Sequence, residues 1–257
     1  MRILILGPGY VGSELAKTLK ADGHQVDATA RTEEKAKALQ EMVDHVLLWN
    51  EATPINFLDP YECLIFTAAA TSYTPENYVE TYLKNSQKIA QAATTALNLK
   101  QIIYTSSTSV YGPGSGETVT EESPLKGSQV LIDTEKTLLA IPEKAVCILR
   151  LGEIIGPGRT LEDRLKKQGE KPFPGTGDNP VNLSPLEQII SAVQKAIDLK
   201  LAGIYNAVSD LHLPRKAVYK AIAKDHNLPE PTWDPSLPTH HSGNRIVSGD
   251  KLNNLIV

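Results

Sequence analysis

RILILGPGYVGSELAKTL, residues 2–19, decides the fold. The apolar run at residues 3–6 predicts a buried strand, and residues 11–21 predict an amphipathic helix. Between them lies the turn GPGYVG, with glycine at its first, third and sixth positions. A strand, a glycine turn and a helix in this order predict the first βα unit of a parallel sheet.

The same alternation continues along the chain. Short β-branched runs alternate with segments of helical period, which favours parallel strands joined by crossover helices. We therefore predict an α/β fold, a doubly wound parallel Rossmann sheet with a small C-terminal substrate-facing part. The core covers residues 1–151, completed by 184–207, and the C-terminal part covers 152–257. Strands are predicted at 3–6, 26–30, 46–48, 63–68, 101–105, 145–151 and 204–207, and helices at 11–21, 33–41, 76–97, 129–140, 186–199 and 215–226.

Composition narrows the classes of function. The chain has 257 residues, with 26 Lys and Arg against 30 Asp and Glu and a net charge of -4. No block of like charge predicts a nucleic-acid or membrane partner, so we expect a cytoplasmic protein with a small-molecule substrate. Cys63 and Cys147 lie in apolar runs typical of buried free thiols. We predict no metal site, because His240 and His241 are adjacent rather than spaced for one ion.

The GPGYVG turn indicates a dinucleotide site. Gly7 permits the tight turn, Gly9 lets the backbone approach a pyrophosphate, and Gly12 allows close helix packing. The N–H groups at the start of the helix, including those of Tyr10 and Val11, can bind the anion. A plain structural turn is the alternative.

The end of the second strand suggests which dinucleotide binds. The sequence there reads DATART, with Asp27 in mid-strand and no carboxylate at the position that holds the ribose 2′-hydroxyl in NAD-binding proteins. Arg31 can receive a 2′-phosphate, since a guanidinium matches phosphate geometry. We predict NADP, with NAD less favoured and a solvated Arg31 as the alternative. The other predicted cofactor contacts at the strand ends are Thr32, Thr67, Ala68 and Ala69.

Four further segments carry a family resemblance. IIYTSSTSVYGP resembles the segment in which extended short-chain dehydrogenases/reductases carry their catalytic serine. The turn GxGxxG, in place of the usual GxxGxxG, is similar to that of an atypical subgroup of this family. The other segments resemble those of the epimerase/dehydratase branch: RLGEIIGPGR at 150–159, GIYNAVSD at 203–210 and GNRIVSGDKL at 243–252, together with Asn182 and Glu187.

The resemblance implies a catalytic site with one substitution. Ser107 is the implied serine, and Lys136 fits the lysine of a Tyr-x-x-x-Lys pair, which binds the nicotinamide ribose of the cofactor. An exposed helix lysine is the alternative for Lys136. Ile132 then stands where the family has the tyrosine whose phenol moves a proton. Tyr111, Tyr104, Asp133 and Glu153 are surrogate proton donors that the resemblance leaves open, with structural roles as the alternative.

The resemblance also implies where a substrate binds. We expect the largest cleft between the SSTSVYG turn and the C-terminal part, with Ser107, Tyr111, Ile132, Ile154 and Asn182 on its walls. Ile132 would face open space there and tolerate a tyrosine. Two functions follow: an NADP-dependent oxidoreductase or epimerase-like enzyme, or a non-catalytic dinucleotide-binding regulator or scaffold. The family further implies a homodimer through the helices predicted at 76–97 and 129–140.

Overall fold

A computed structural model describes residues 1–237 and 243–256, so His240 and His241 lie outside the described residues. The strands are β1 Arg2–Leu6, β2 Gln25–Ala30, β3 His45–Leu48, β4 Cys63–Phe66, β5 Gln101–Ser107, β6 Thr118–Val119, β7 Ala145–Leu151, β8 Glu153–Ile155, β9 Phe173–Pro174, β10 Leu183–Pro185, β11 Gly203–Ala207, β12 Trp233–Asp234 and β13 Ile246–Val247. The helices are α1 Tyr10–Ala21, α2 Glu33–Leu39, α3 Pro75–Tyr78, α4 Asn85–Ala93, α5 Gln129–Leu139, α6 Leu161–Gln168, α7 Leu186–Asp198, α8 Arg215–Asp225 and α9 Asp250–Ile256.

The central sheet has seven strands in the order β11-β7-β5-β4-β1-β2-β3. Every neighbouring pair in it is parallel. The strand order reverses at β1, which pairs with β2 on one side and β4 on the other. In an open parallel sheet, a crevice forms at the carboxyl ends of the strands beside such a reversal. The predicted doubly wound fold is confirmed.

The sheet is packed on both faces. Alternate residues of β1 point to opposite sides: Ile3 and Ile5 join the cluster that contains apolar side chains of α1 and α7, whereas Leu4 and Leu6 join the cluster with those of α4. Burial on both faces explains why these strands read as continuous apolar runs rather than alternating ones.

The helix predicted at 76–97 differs from expectation. It begins at Pro75 after Thr74, whose hydroxyl accepts the N–H of Asn77, and regular helix ends at Ala93. Between α3 and α4, residues Val79–Lys84 form a π-helical turn. A π turn shifts the faces that the following side chains present, and such turns are frequent at functional sites. This turn packs against α5.

Short strands outside the central sheet form three two-stranded sheets among the described residues. β8 pairs with β10, β9 with β12, and β6 with β13, each in parallel. Helices α6 and α8 pack together over Leu165, Val181 and Tyr219. The loop at 112–127 therefore contains a strand, β6. The division at residue 151 stays a prediction. Among the described residues, no helix is long and apolar enough to span a membrane.

Candidate functional site

A cavity of about 870 Å³ lies at the carboxyl ends of β1, β2 and β4. Its floor is the glycine turn, and its walls come from the ends of β2 and β3 and from the π turn. Of the predicted cofactor residues, five line it: Gly7, Gly9, Arg31, Ala68 and Ala69.

The glycine turn is shaped by close backbone approach. Gly7 has a φ of +81°, and a Cβ on it would lie 2.4 Å from the Cα of Ala68. A Cβ on Gly12 would lie 2.6 Å from the Thr67 hydroxyl oxygen, so α1 can pack on the sheet only with glycine here. A Cβ on Gly9 would meet one atom, 4.0 Å away, which leaves its outer side open. The tight turn at Gly7 and the close packing at Gly12 agree with expectation, and the pyrophosphate contact of Gly9 stays a prediction that its open outer side fits.

Hydrogen bonds hold the turn open toward the cavity. The Gly7 N–H donates to the Thr29 hydroxyl at 3.0 Å, and the Thr67 hydroxyl donates to the Gly7 carbonyl at 2.9 Å. The first residue of α1 follows Gly9, which provides no side-chain cap. Among the described residues, the N–H groups of Tyr10, Val11 and Gly12 have no protein acceptor, and they directly follow Gly9, which lines the cavity. They fit a pyrophosphate. Thr67 supports the turn from behind rather than lining the cavity.

The cavity wall that follows β2 carries two cationic side chains. Arg31 is exposed, and Lys35, one turn into α2, lines the same wall. Asp27 accepts a hydrogen bond from Tyr61 and an ion pair from Arg2 at 2.7 Å, so its carboxylate is occupied within the fold. Thr32 caps α2 through the Lys35 N–H at 3.3 Å and does not line the cavity.

Trp49 also lines the cavity, and sequence reasoning missed it. The Trp49 indole N–H donates to Asn85 at 2.9 Å, and the Lys88 ammonium lies 4.4 Å from the indole centroid. Burial lowers the pKa of Lys88. The available signal was the position of Trp49, an aromatic residue directly after β3.

Two predicted cofactor residues face elsewhere. The Tyr10 hydroxyl donates to the Pro157 carbonyl at 3.0 Å, and the Arg159 guanidinium lies 4.9 Å from its ring centroid. Val11 is buried in the core beneath α1. Their backbone N–H groups still belong to the first turn of α1, but their side chains do not reach the cavity.

Ser107 and Lys136 lie at the edge formed by β5 and α5. Ser107 is partly exposed, and its hydroxyl accepts the Ser109 N–H at 3.1 Å, capping the short 3₁₀ helix Thr108–Tyr111. Lys136 is exposed in the last turn of α5, and its ammonium has no hydrogen-bond partner among the described residues. Lys136 does not line the cavity of the glycine turn.

The expectation that Ile132 faces an open cleft is wrong in this structure. Ile132 is 5% exposed and packs in a cluster with Val110, Val119 and Val247. The cluster closes because β13 brings Val247 over the SSTSVYG turn. Tyr111 is 4% exposed in the same cluster, so it is not a wall residue either.

A buried ionic network lies beneath this edge. Arg150 donates through Nε and Nη2 to the Glu135 carboxylate, with the shortest distance 2.7 Å, and Ser106 donates to the same carboxylate at 2.5 Å. Arg150 also donates to the Tyr111 hydroxyl at 2.9 Å, which donates to Asn206 at 2.6 Å. Burial raises the pKa of Tyr111. With both hydrogen bonds made inside the protein, Tyr111 is a structural residue rather than a proton donor.

The remaining surrogates are either buried or paired with protein groups. Tyr104 is fully buried, and burial raises its pKa well above the ordinary value. Glu153 is held between Arg164 and Arg215, which keeps it an ion-pair partner. Asp133 accepts a hydrogen bond from Gln129 on the outer face of α5 at 2.8 Å.

Asn182 binds protein rather than an open cleft. Its side chain accepts the Val247 N–H at 2.8 Å and donates to the Arg245 carbonyl at 3.0 Å. Arg245 in turn donates to the carbonyls of Thr108 and Gly112. Ile154 packs against the core cluster of α1 and α7. These contacts fasten residues 243–248 over the SSTSVYG turn.

A larger cavity lies elsewhere, which corrects the expectation that the largest would adjoin Ser107. It has a volume of about 1310 Å³ and separates α1 and α7 from α6 and α8. A third, smaller cavity of about 210 Å³ is lined by Arg164, Arg215 and the rings of Phe173, Tyr219 and Trp233.

Comparison with known proteins agrees with this geometry. The model of the NAD dependent epimerase/dehydratase family matches residues 3–169. "Protein YeeZ" of Escherichia coli strain K12 is 31% identical, over 98% of this chain and 93% of the relative.

Two solved structures illustrate the shared fold. A functionally unknown conserved protein from Silicibacter pomeroyi has a TM-score of 0.80 at 24% identity, covering 99% of this chain and 92% of the other. The UDP-glucuronic acid 4-epimerase from Bacillus cereus, in complex with UDP-glucuronic acid and NAD, has a TM-score of 0.81 at 20% identity, covering 100% and 93%.

Proposed function

We propose that this chain, which belongs to the NAD dependent epimerase/dehydratase family of extended short-chain dehydrogenases/reductases, is an NADP-dependent enzyme of the atypical subgroup that oxidises, reduces or epimerises a nucleotide sugar. The observation that carries the proposal is the open glycine turn at the start of α1: Gly7 and Gly9 line the cavity of about 870 Å³, and the first N–H groups after Gly9 have no acceptor among the described residues. Bound there, the cofactor would supply hydride exchange, while the protein would supply position and proton transfer.

The proposed preference for NADP rests on the charge of the cavity wall that follows β2, where the adenosine ribose would lie. Arg31 and Lys35 both line that wall, and neither the last residue of β2, Ala30, nor the two residues after it is a carboxylate. Asp27 is withdrawn into its contacts with Arg2 and Tyr61. A 2′-phosphate would gain two cationic partners, whereas an NAD 2′-hydroxyl would lack a carboxylate acceptor.

The substrate class rests on the small cavity between α6 and α8. Glu153 pairs with two arginines, which leaves the group with one excess positive charge. The buried Nε and Nη1 of Arg215 have no hydrogen-bond partner among the described residues. Aromatic rings beside a guanidinium that keeps two nitrogens without a hydrogen-bond partner among the described residues fit a planar base attached to a phosphate. Nucleotide sugars, such as the UDP-glucuronic acid bound in the Bacillus cereus neighbour, have this chemistry.

A dinucleotide-binding regulator without chemistry is the second candidate. The packing of Ile132 favours it, because α5 presents no phenol at the position that the family resemblance assigns to proton transfer. Turnover separates the two: oxidation or epimerisation of any member of a nucleotide-sugar panel supports the enzyme, and tight NADP binding without turnover supports the regulator.

Cofactor preference can be measured through Trp49. The chain has two tryptophans, so Trp233→Phe leaves Trp49 as the single fluorophore, located in the cofactor cavity. In this background we expect NADP to quench at lower concentration than NAD. Arg31→Ala should weaken NADP binding about ten- to a hundredfold, the loss of one charge-assisted contact, and leave NAD binding unchanged.

Lys37→Ala is the matched control, since Lys37 is an exposed cation on α2 outside the cavity. It should leave both affinities within about twofold. Tighter binding of NAD than of NADP, or equal losses in the two variants, would remove the NADP assignment.

A further inference from the structure

A phenol near Ile132 can be sought among the nine tyrosines of the chain. Most are committed to the fold. The hydroxyls of Tyr10, Tyr61 and Tyr205 donate to other protein groups. Tyr111 is held between Arg150 and Asn206, and Tyr104 and Tyr219 are buried.

Three tyrosines are left, and they form a row. Tyr73 is 78% exposed, its ring centroid lies 6.3 Å from that of Tyr78, and Tyr78 lies 5.2 Å from Tyr82. Tyr78 and Tyr82 are partly exposed and pack against the cluster that contains Ile132. The row therefore leads from solvent to the side chain that replaces the expected tyrosine.

The π turn places Tyr82 between the cofactor cavity and α5. Thr81 and Lys84 of the same turn line the cavity, while the turn itself packs on α5. The Ala70 N–H donates to the Tyr82 hydroxyl oxygen at 3.1 Å. Ala70 directly follows Ala68 and Ala69, which line the cavity after β4. The phenol oxygen is thus fixed at the edge of the cofactor cavity.

The hydrogen bonding of Tyr82 suits proton transfer. Its oxygen accepts one N–H, and within residues 1–237 and 243–256 its O–H donates to no protein group. The O–H is therefore free to donate to a substrate oxygen, and the Ala70 N–H would stabilise the phenolate that remains. Burial raises the pKa of Tyr82, and the Ala70 hydrogen bond opposes that shift.

We propose that Tyr82, in the π turn that packs on α5, is the catalytic phenol of this site. The proposal rests on the proposed function. In reduction of a keto sugar, the Tyr82 O–H bond breaks and its proton passes to the carbonyl oxygen as the carbonyl carbon takes hydride from reduced nicotinamide dinucleotide. Water then returns a proton to the phenolate. In the oxidative direction, the phenolate accepts the proton of the sugar hydroxyl.

The first test reads the phenol without turnover. Protein labelled with [¹³Cζ]tyrosine is titrated with NADP⁺, and the resonances are assigned with Tyr82→Phe and Tyr78→Phe. We expect the Tyr82 resonance to move on binding, because a cationic nicotinamide ring approaches it, while those of Tyr205 and Tyr219 stay in place. An unmoved Tyr82 resonance, at NADP⁺ concentrations where Trp49 fluorescence shows saturation, overturns the proposal and leaves the proposed cofactor site standing.

The second test reads the chemistry with the nucleotide-sugar panel. Tyr82→Phe should lower kcat about a hundredfold or more and keep the NADP affinity within about twofold. The matched control Tyr78→Phe removes a neighbouring hydroxyl from the same row and should keep kcat within about threefold. Retained turnover in Tyr82→Phe, or a larger loss in Tyr78→Phe, overturns the proposal. Failure of NADP⁺ to bind the unmodified protein overturns both the proposed function and this inference.

Discussion

The cofactor cavity and the edge around Ser107 differ in the kind of group that shapes them, backbone in the first and side chains in the second. The floor of the cavity is made of backbone: glycines without Cβ atoms, the uncapped start of α1, and the main chain of Ala68. The Ser107 edge is made of side chains, with Arg150 and Glu135 buried under it and Arg245 fastened over it. The first region is open and the second is closed.

This difference explains which residue roles can be read from sequence. A backbone site requires particular residues at fixed spacing, because only glycine fits certain φ angles and close contacts. A side-chain site is satisfied by many combinations of residues that become neighbours only in the fold. A substitution in either region can therefore be compared with a control substitution in the same part of the chain.

The largest effect is expected at the buried ion pair. Glu135→Gln leaves the Arg150 guanidinium buried opposite a neutral amide, and both side chains are almost fully buried. Breaking such a pair costs about 3 to 5 kcal/mol of unfolding free energy. Glu80→Gln is the control, because Glu80 and Lys84 form an exposed pair, and it should cost less than about 1 kcal/mol. Urea unfolding measures both, and equal values would show that Arg150 finds other partners.

A somewhat smaller effect is expected at the glycine turn. Gly7→Ala combines a left-handed backbone with overlap against Ala68, together about 2 to 4 kcal/mol. Gly23→Ala has nearly the same φ, +84°, but nothing within 4 Å of its Cβ, so only the backbone cost of about 1 to 2 kcal/mol applies. The difference in urea midpoint isolates the close approach. If the two variants unfold together, the Ala68 backbone yields without cost.

The smallest stability effect is expected at Ile132. Because Ile132 is packed rather than facing open space, Ile132→Tyr should lose about 1 to 3 kcal/mol through overpacking. NADP affinity should stay unchanged, since the glycine turn is remote from the substitution. Leu139→Tyr, on an exposed site of the same helix, should stay within about 0.5 kcal/mol. An Ile132→Tyr protein as stable as the parent would show that the edge opens, and the interpretation of a closed site would be wrong.

Most of the central sheet could be predicted from the sequence, because strands buried on both faces leave unbroken apolar runs. The π turn could not, since residues 76–97 keep a helical period whether or not one residue is inserted in the turn. α6 was missed although its start has a readable signal: Thr160 and Asp163 form a capping box three residues apart.

The site divides in the same way. The glycine roles followed from spacing, whereas the wall position given to Ile132 depended on how far β13 reaches over it. One signal for the ionic network was available: Arg150 interrupts the apolar strand AVCILRL, and a buried guanidinium requires a carboxylate. Arg150 pairs with Glu135 rather than Asp133. That choice depends on the rotation of α5 against β7, which local sequence does not specify.

The fastening of residues 243–248 over the SSTSVYG turn has a consequence for biosynthesis. The turn leaves the ribosome more than a hundred residues before Arg245 and Val247 can cover it. Until then, the nascent chain exposes the carbonyls of Thr108 and Gly112 and the apolar faces of Val119 and Ile132. The cofactor half can fold early, from segments close in sequence, whereas this edge must wait for nearly complete translation. During that interval, the incomplete chain exposes an apolar surface that chaperones can bind.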